Sequence, residues 1–217
     1  RFTLCYCLGG KIMPIVLNGS TGVITGIPVG GLPDGIVDTD MIANNAVTSA
    51  KSSGLGGLTM VEQWVLEDEV TVSSSQTYNL TGTWAKRSQN GSGTIGASGM
   101  SVSSGIFTFP STGVYKVDFL GRQRNSYGTG RRRVQSQIYT THDNSTYIHA
   151  AAGGGNLSNR GSTTSVSDVV SIIFDVQNTS NYKVNFRINF SNEGRINARS
   201  GGDTTSTCAI FMKLGDT

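Results

Sequence analysis

The nine residues YKVNFRINF, Tyr182 to Phe190, alternate apolar and polar side chains without a break. Successive side chains of a strand point to opposite faces. Tyr182, Val184, Phe186, Ile188 and Phe190 therefore share one face, and Lys183, Asn185, Arg187 and Asn189 the other. Wound as a helix, the same apolar residues would scatter around the axis and bury no common stripe. The preceding VVSIIFDV repeats the pattern with Val170, Ile172, Phe174 and Val176, and NTSN, Asn178 to Asn181, turns one strand into the next. IFTF, VYKVDFL, VQSQIYT and CAIFMKL supply further strands, and EQWVLEDEVTV reads as the first strand of the domain. Turn clusters separate them: NGSG, PSTG, NSYGTG, AAGGGNLSNRGS, SNEG and RSGGDTTS. At least eight strands and no helix of consequence are expected over 61–217, which is the pattern of an antiparallel sandwich.

Ahead of this domain the pattern changes. MPIVLNGSTGVITGIPVGGLPDG is broken by Gly or Pro every few residues, yet carries Ile15, Val16, Leu17, Val23, Ile24, Ile27 and Val29. It is too interrupted to bury a core alone and too apolar for a solvated linker, so it reads as an extended arm docked on a sister chain or a larger assembly. IVDTDMIANNAVTSAKSS then places Met41, Ile42 and Ala46 on one helical face, with Val47 and Ala50 close by. A helix this short is marginal alone and makes sense where several copies meet around an axis. The expected organisation is an extended docking arm over 1–35, a short helical neck and hinge over 36–58, and a β head over 59–217. Residues 1–12 are too short for a secretory signal, and Met13-Pro14 would be a natural start.

Charged residues make up 14% of the chain, and Gly numbers 29. That is sparse charge for a cytosolic enzyme and suits a β-rich extracellular or particle-bound protein. A net charge of +3 is too small to imply nucleic acid as a partner, and no apolar run reaches the roughly 18 residues of a membrane span. Cys5, Cys7 and Cys208 make neither a metal-ligand set nor a disulfide framework.

GIFTFPSTGVYKVDF, Gly105 to Phe119, places Phe107 and Phe109 on one face of a strand, then Pro110 to end it, Gly113 to take positive φ, and Tyr115 and Phe119 on the next strand. A well-made hairpin in any sandwich would also use these residues. The stretch resembles the signature of the complement globular-head and tumour-necrosis-factor-like jelly rolls through Gly105, Phe107, Phe109, Pro110, Gly113, Tyr115 and Phe119. TSTCAIFMKL resembles that family's last strand, which runs through the domain centre. The resemblance covers roughly 61–217 and implies an all-β, antiparallel jelly-roll sandwich that assembles as a homotrimer. The N-terminal region, with AVTSAK at Ala46 to Lys51, resembles the shaft and neck segments of bacteriophage fibre proteins. Together these resemblances imply a short trimeric virion fibre, of tail or capsid, docked to other virion proteins by its arm. The trimer and arm contacts expected on this reading are Ile15, Val16, Leu17, Val23, Ile24, Ile27, Met41, Ile42 and Val47.

Catalytic vocabulary is thin. His142 and Asp143 are adjacent, but THDNSTY reads more simply as a hairpin turn between QIYT and YIHA. Glu67, Asp68 and Glu69 are consecutive, so neighbours face opposite ways and do not form an acid pair. AAGGGNLSNRG lacks the Lys-Ser/Thr and helix of a phosphate loop. No cofactor and no metal are expected. Arg122, Arg124, Arg131, Arg132 and Arg133 crowd around NSYGTG. They could receive anionic host-surface sugars or phosphates, with Tyr127, Tyr139 and Tyr147 as stacking residues. The simpler alternative is solvated strand ends or salt bridges to a neighbouring chain. The expected function is non-enzymatic: a structural and adhesive virion protein. A secreted or surface bacterial jelly-roll binding module, or a virion carbohydrate-active enzyme, are the alternatives.

Overall fold

The computed structural model describes residues 2–8, 11–18, 23–25, 58–87, 94–96, 98–124, 132–157, 165–197 and 207–217. Two compact units divide the chain, Arg1–Leu55 and Gly56–Thr217.

In the first unit, β1 (Phe2–Leu8), β2 (Lys11–Asn18) and β3 (Val23–Thr25) form a three-stranded antiparallel sheet with β2 in the middle. The described residues of the segment expected as an extended arm are thus strands that pair with one another. Ile15, Val16 and Leu17 lie on β2 opposite Leu4, Thr3 and Phe2, and Val23 and Ile24 lie on β3 opposite Asn18 and Leu17. Antiparallel pairing lets the strands satisfy one another's backbone N–H and C=O groups. Ile27, Met41, Ile42, Val47 and the expected helical neck lie outside the described residues.

The second unit is all β among its described residues. Its strands are β4 (Met60–Leu66), β5 (Val70–Val72), β6 (Gln76–Asn79), β7 (Trp84–Lys86), β8 (Ser101–Ser103), β9 (Ile106–Thr108), β10 (Gly113–Arg124), β11 (Arg132–Thr141), β12 (Ile148–Leu157), β13 (Ser165–Val176), β14 (Lys183–Phe190), β15 (Gly194–Ile196) and β16 (Cys208–Gly215). Every pairing is antiparallel. One sheet runs β4–β16–β10–β13 and carries β7, β15 and β5 at its margins. The other runs β12–β11–β14–β9 and carries β8 and β6. Among the eight principal strands in chain order, the first, eighth, third and sixth make one sheet; the fifth, fourth, seventh and second make the other. This is the jelly-roll arrangement. β16 lies between β10 and β4, at the centre of its sheet.

The core fills the space between the sheets. Phe107 is fully buried, with its ring against Trp64, Trp84, Phe186 and Phe211 at centroid distances of 5.7, 5.3, 5.4 and 5.0 Å. Phe109 meets Tyr115, Phe174 and Phe211. The turn between β9 and β10 is tied down as well as shaped. Tyr115 donates its hydroxyl to the Ser111 carbonyl at 3.0 Å. Gly113 has φ +142°, and a Cβ there would lie 2.4 Å from Lys213 Cε and 2.6 Å from the Gly215 carbonyl. Gly113 is thus required twice, by conformation and by space.

Two expectations fail. EQWVLEDEVTV is not one strand: it breaks at Glu67–Glu69 because Asp68 and Glu69 are exposed and leave the sheet, while Val70–Val72 starts β5. The Gly-rich segment expected as a loop over 150–162 is strand as far as Leu157. Its inward glycines let the sandwich close at this edge. A Cβ at Gly153 would be 3.0 Å from Val170 Cγ2, and one at Gly155 would be 3.3 Å from Val166 Cγ1, both on β13 of the opposite sheet.

Candidate functional site

The outer face of the β4–β16–β10–β13 sheet is built from the residues that alternate with the core. β10 turns Tyr115, Val117 and Phe119 inward, so Lys116, Asp118 and Leu120 face out. Register then assembles cross-strand rows on that outer face. Val169, Leu120, Cys208 and Val65 form one; Ser171, Asp118, Ile210 and Gln63 the next; Ile173, Lys116, Met212 and Val61 the third. The middle row carries Asp118, which accepts from the Ser171 hydroxyl of its own row at 2.5 Å and from Lys116 of the third row at 2.7 Å. The flanking rows end on β13 in Val169 and Ile173, which are 61% and 62% exposed. Toward β4 the face closes over: Val65 and Cys208 are buried, and burial raises the Cys208 thiol pKa, opposed in part by a Gln63 hydrogen bond and the charge of Arg87.

Val169 and Ile173 were not among the residues the sequence pointed to. The signal was present: DVVSIIFDV is apolar on both of its faces, whereas a strand with one watered face should alternate strictly. Reading only the core register of Val170, Ile172, Phe174 and Val176 hides it.

The arginine cluster divides. Arg122 and Arg124 lie on β10 in one sheet, while Arg132 and Arg133 lie on β11 in the other. Glu69 takes Arg124 at 2.6 Å on one oxygen and Arg195 at 3.0 Å on the other, so the acidic turn after β4 neutralises this end of β10 from within the chain. Arg122 is partly exposed, with its backbone N–H on Thr207 Oγ1 at 3.3 Å. Arg133 is exposed and borders a groove of about 250 Å³ beside Gln135, Gly154 and Asn156. Tyr127 and Arg131 lie outside the described residues.

Tyr139 has a stacking role, but its partners are its own neighbours. His149 on β12 stacks on it at 4.9 Å with an 11° interplanar angle, and the Arg187 guanidinium on β14 lies 3.7 Å from the ring centroid. β12 and β14 flank β11. His142 packs on the rings of Phe174 and Tyr182. The adjacent Asp143 carboxylate is engaged in the expected hairpin turn, accepting from the N–H groups of Thr146 and Ser145 and from the Thr141 hydroxyl. These bonds hold its pKa well below the usual carboxylate range, and Asn144 takes φ +58° in the same turn. Asp68 accepts the Thr83 N–H at 3.0 Å.

No family model matches the chain, and no curated protein matches it. Solved structures similar to it include murine APRIL at pH 5.0, 12% identical with a TM-score of 0.47, covering 71% of this chain and 98% of that one. Murine APRIL at pH 8.0 is 14% identical with a TM-score of 0.44 and the same coverage. Eiger TNF from S. frugiperda is 12% identical with a TM-score of 0.47, covering 74% of this chain and 96% of that one.

Proposed function

We propose that the chain is a non-enzymatic structural protein of a bacteriophage particle. It is a homotrimeric short fibre, held to other virion proteins through its N-terminal segment and presenting the jelly-roll head for host-surface adhesion. The observation that carries the self-association is the open outer face of β13. Val169 and Ile173 are large, apolar and each about three-fifths exposed; the row of Val169 continues through half-buried Leu120, and that of Ile173 through Lys116 to half-buried Met212. Burying the rest of each would contribute about 1–2 kcal/mol, or about 6–12 kcal/mol over three copies of both. Such a face favours a partner of matching apolarity, and neighbouring copies of this chain around a threefold axis supply one. Within this face Lys116 of the Ile173 row and Ser171 both donate to Asp118, so neither charge would enter the contact unpaired. The threefold form and the virion setting rest on the resemblance of GIFTFPSTGVYKVDF to trimeric heads and of the N-terminal segment to phage fibres.

The test is the mass of the full chain by light scattering, followed by competition with phage particles for host cells. A species three times the 22.9 kDa chain mass that blocks attachment is expected. A particle of 22.9 kDa at all concentrations would sink the proposal.

A further inference from the structure

On the outer face of the β12–β11–β14–β9 sheet lies a pocket of about 210 Å³, walled by Arg187, Tyr147, Asn185 and Asn79 and floored by the backbone around Leu80 and Gly105. We propose that it binds one oxyanion-bearing sugar unit, the carboxylate of a uronic acid or the phosphate of a sugar phosphate.

Arg187 is held for such a role. Its guanidinium lies against the Tyr139 ring at 3.7 Å and 6.0 Å from that of Tyr147, and its Nε donates to Asn185 Oδ1 at 3.2 Å. Those contacts fix the plane of the fork while leaving its terminal N–H groups to donate, the geometry that suits a planar oxyanion. No carboxylate lines the pocket, and none pairs with Arg187 among the described residues. Tyr147 adds a second donor. Its hydroxyl is buried and has no hydrogen-bond partner, an arrangement that a ligand acceptor would relieve. Burial raises its pKa against the opposing charge of Arg187, so the hydroxyl stays protonated and able to donate. The carboxamide oxygen of Asn185 is engaged by Arg187, which leaves that side chain its N–H groups to offer.

The volume is below the range of drug-sized sites and matches a single ring with its substituent. One wall is rigid: Ser104 and Gly105, at φ +48° and +73°, make the two-residue turn joining β8 to β9. A Cβ on Gly105 would lie 2.1 Å from the Leu80 carbonyl, so the turn seats directly on the floor. Beyond Thr81, Ser104 and Gly105, the surface continues into a neighbouring groove bordered by Gly82 and Trp84, which leaves room for the next sugar of a polysaccharide.

The biological source of the sugar rests on the host-surface reading above, although the site itself does not. The full chain is titrated calorimetrically with methyl glucuronide, glucose 6-phosphate and methyl glucoside, with thermal unfolding as the fold control. At least one anionic sugar should bind, the neutral glucoside should not, and affinity should fall with salt. R187Q should weaken binding at least tenfold, R187K less, and Y147F a few-fold; the Tyr147 variant keeps the test alive should Arg187 variants misfold. Preference for glucuronide or for glucose 6-phosphate decides between carboxylate and phosphate. Equal binding of the glucoside, unchanged binding by both R187Q and Y147F, or no binding of either anionic sugar overturns the proposal. A trimer that attaches to cells yet binds neither sugar rejects the pocket alone, and a sugar-binding monomer rejects the fibre alone.

Discussion

Replacing Phe107 by Ala removes the ring on which the core is organised. Phe107 is fully buried and contacts four other rings, two of them the chain's tryptophans, at 5.0–5.7 Å. Large-to-small changes of this kind cost about 3–5 kcal/mol. The four aromatic contacts, each worth about 0.5–1.5 kcal/mol beyond area burial, put this site at the upper end. We expect a loss of about 4–5 kcal/mol, seen as a fall in melting temperature of about 10–20 °C for a domain of this size. Phe107→Leu keeps most of the volume and should lose clearly less. The assay is denaturant unfolding followed by tryptophan fluorescence, since Trp64 and Trp84 both pack on Phe107 and report its loss directly. Protein concentration must be fixed, because association would add to apparent stability. An unchanged slope with a loss below about 1 kcal/mol would show that this ring does not sit where the core depends on it.

Three further outcomes follow from other parts of the head. Asp at both positions 169 and 173 (Val169→Asp with Ile173→Asp) should leave the monomer folded and reduce the light-scattering mass to that of one chain; retention of the oligomer would place the contact elsewhere. Lys86→Met leaves the buried Glu62 carboxylate, among the described residues, with the Trp64 indole and the Met100 N–H as donors. Removing one partner of a buried pair costs about 3–5 kcal/mol, and because Lys86 is two-fifths exposed we expect about 1–3 kcal/mol in denaturant unfolding. The Asp143 pKa is lower in the folded chain than in the unfolded one, so its stabilisation is complete above the ordinary carboxylate range and is lost as pH falls through the depressed value. Asp143→Asn should therefore flatten the acid limb of a melting-temperature profile between the two values, and an unaltered limb would show that the turn contributes nothing there.

The sandwich was legible because its strongest strands face the core with one side only. Phe107, Phe109, Tyr115 and Phe119, and the alternation of Tyr182 to Phe190, carry their partners' positions in their own period. What stayed hidden depended on contacts distant in sequence. Gly153 and Gly155 read as loop because glycine favours turns, and only the nearness of Val170 and Val166 gives them a strand's purpose. Arg122 and Arg133 read as one cluster because eleven positions separate them in sequence, yet β10 and β11, which carry them, belong to different sheets. Arg187 read as one more polar residue on the watered face. Its pocket needs β6, the β8–β9 turn and Tyr147, which three separate stretches of chain bring together.

β16 sits between β10 and β4, so the strand made last among the eight is the keystone of its sheet. While the ribosome is still upstream of Cys208, β4 and β10 face a gap where Ala209 and Phe211 belong, and neither can complete its ladder. That sheet of the head is complete only once the last of these strands has been made. A chain cut short before Cys208 would lack the strand that joins β4 to β10 and should fail to complete this sheet.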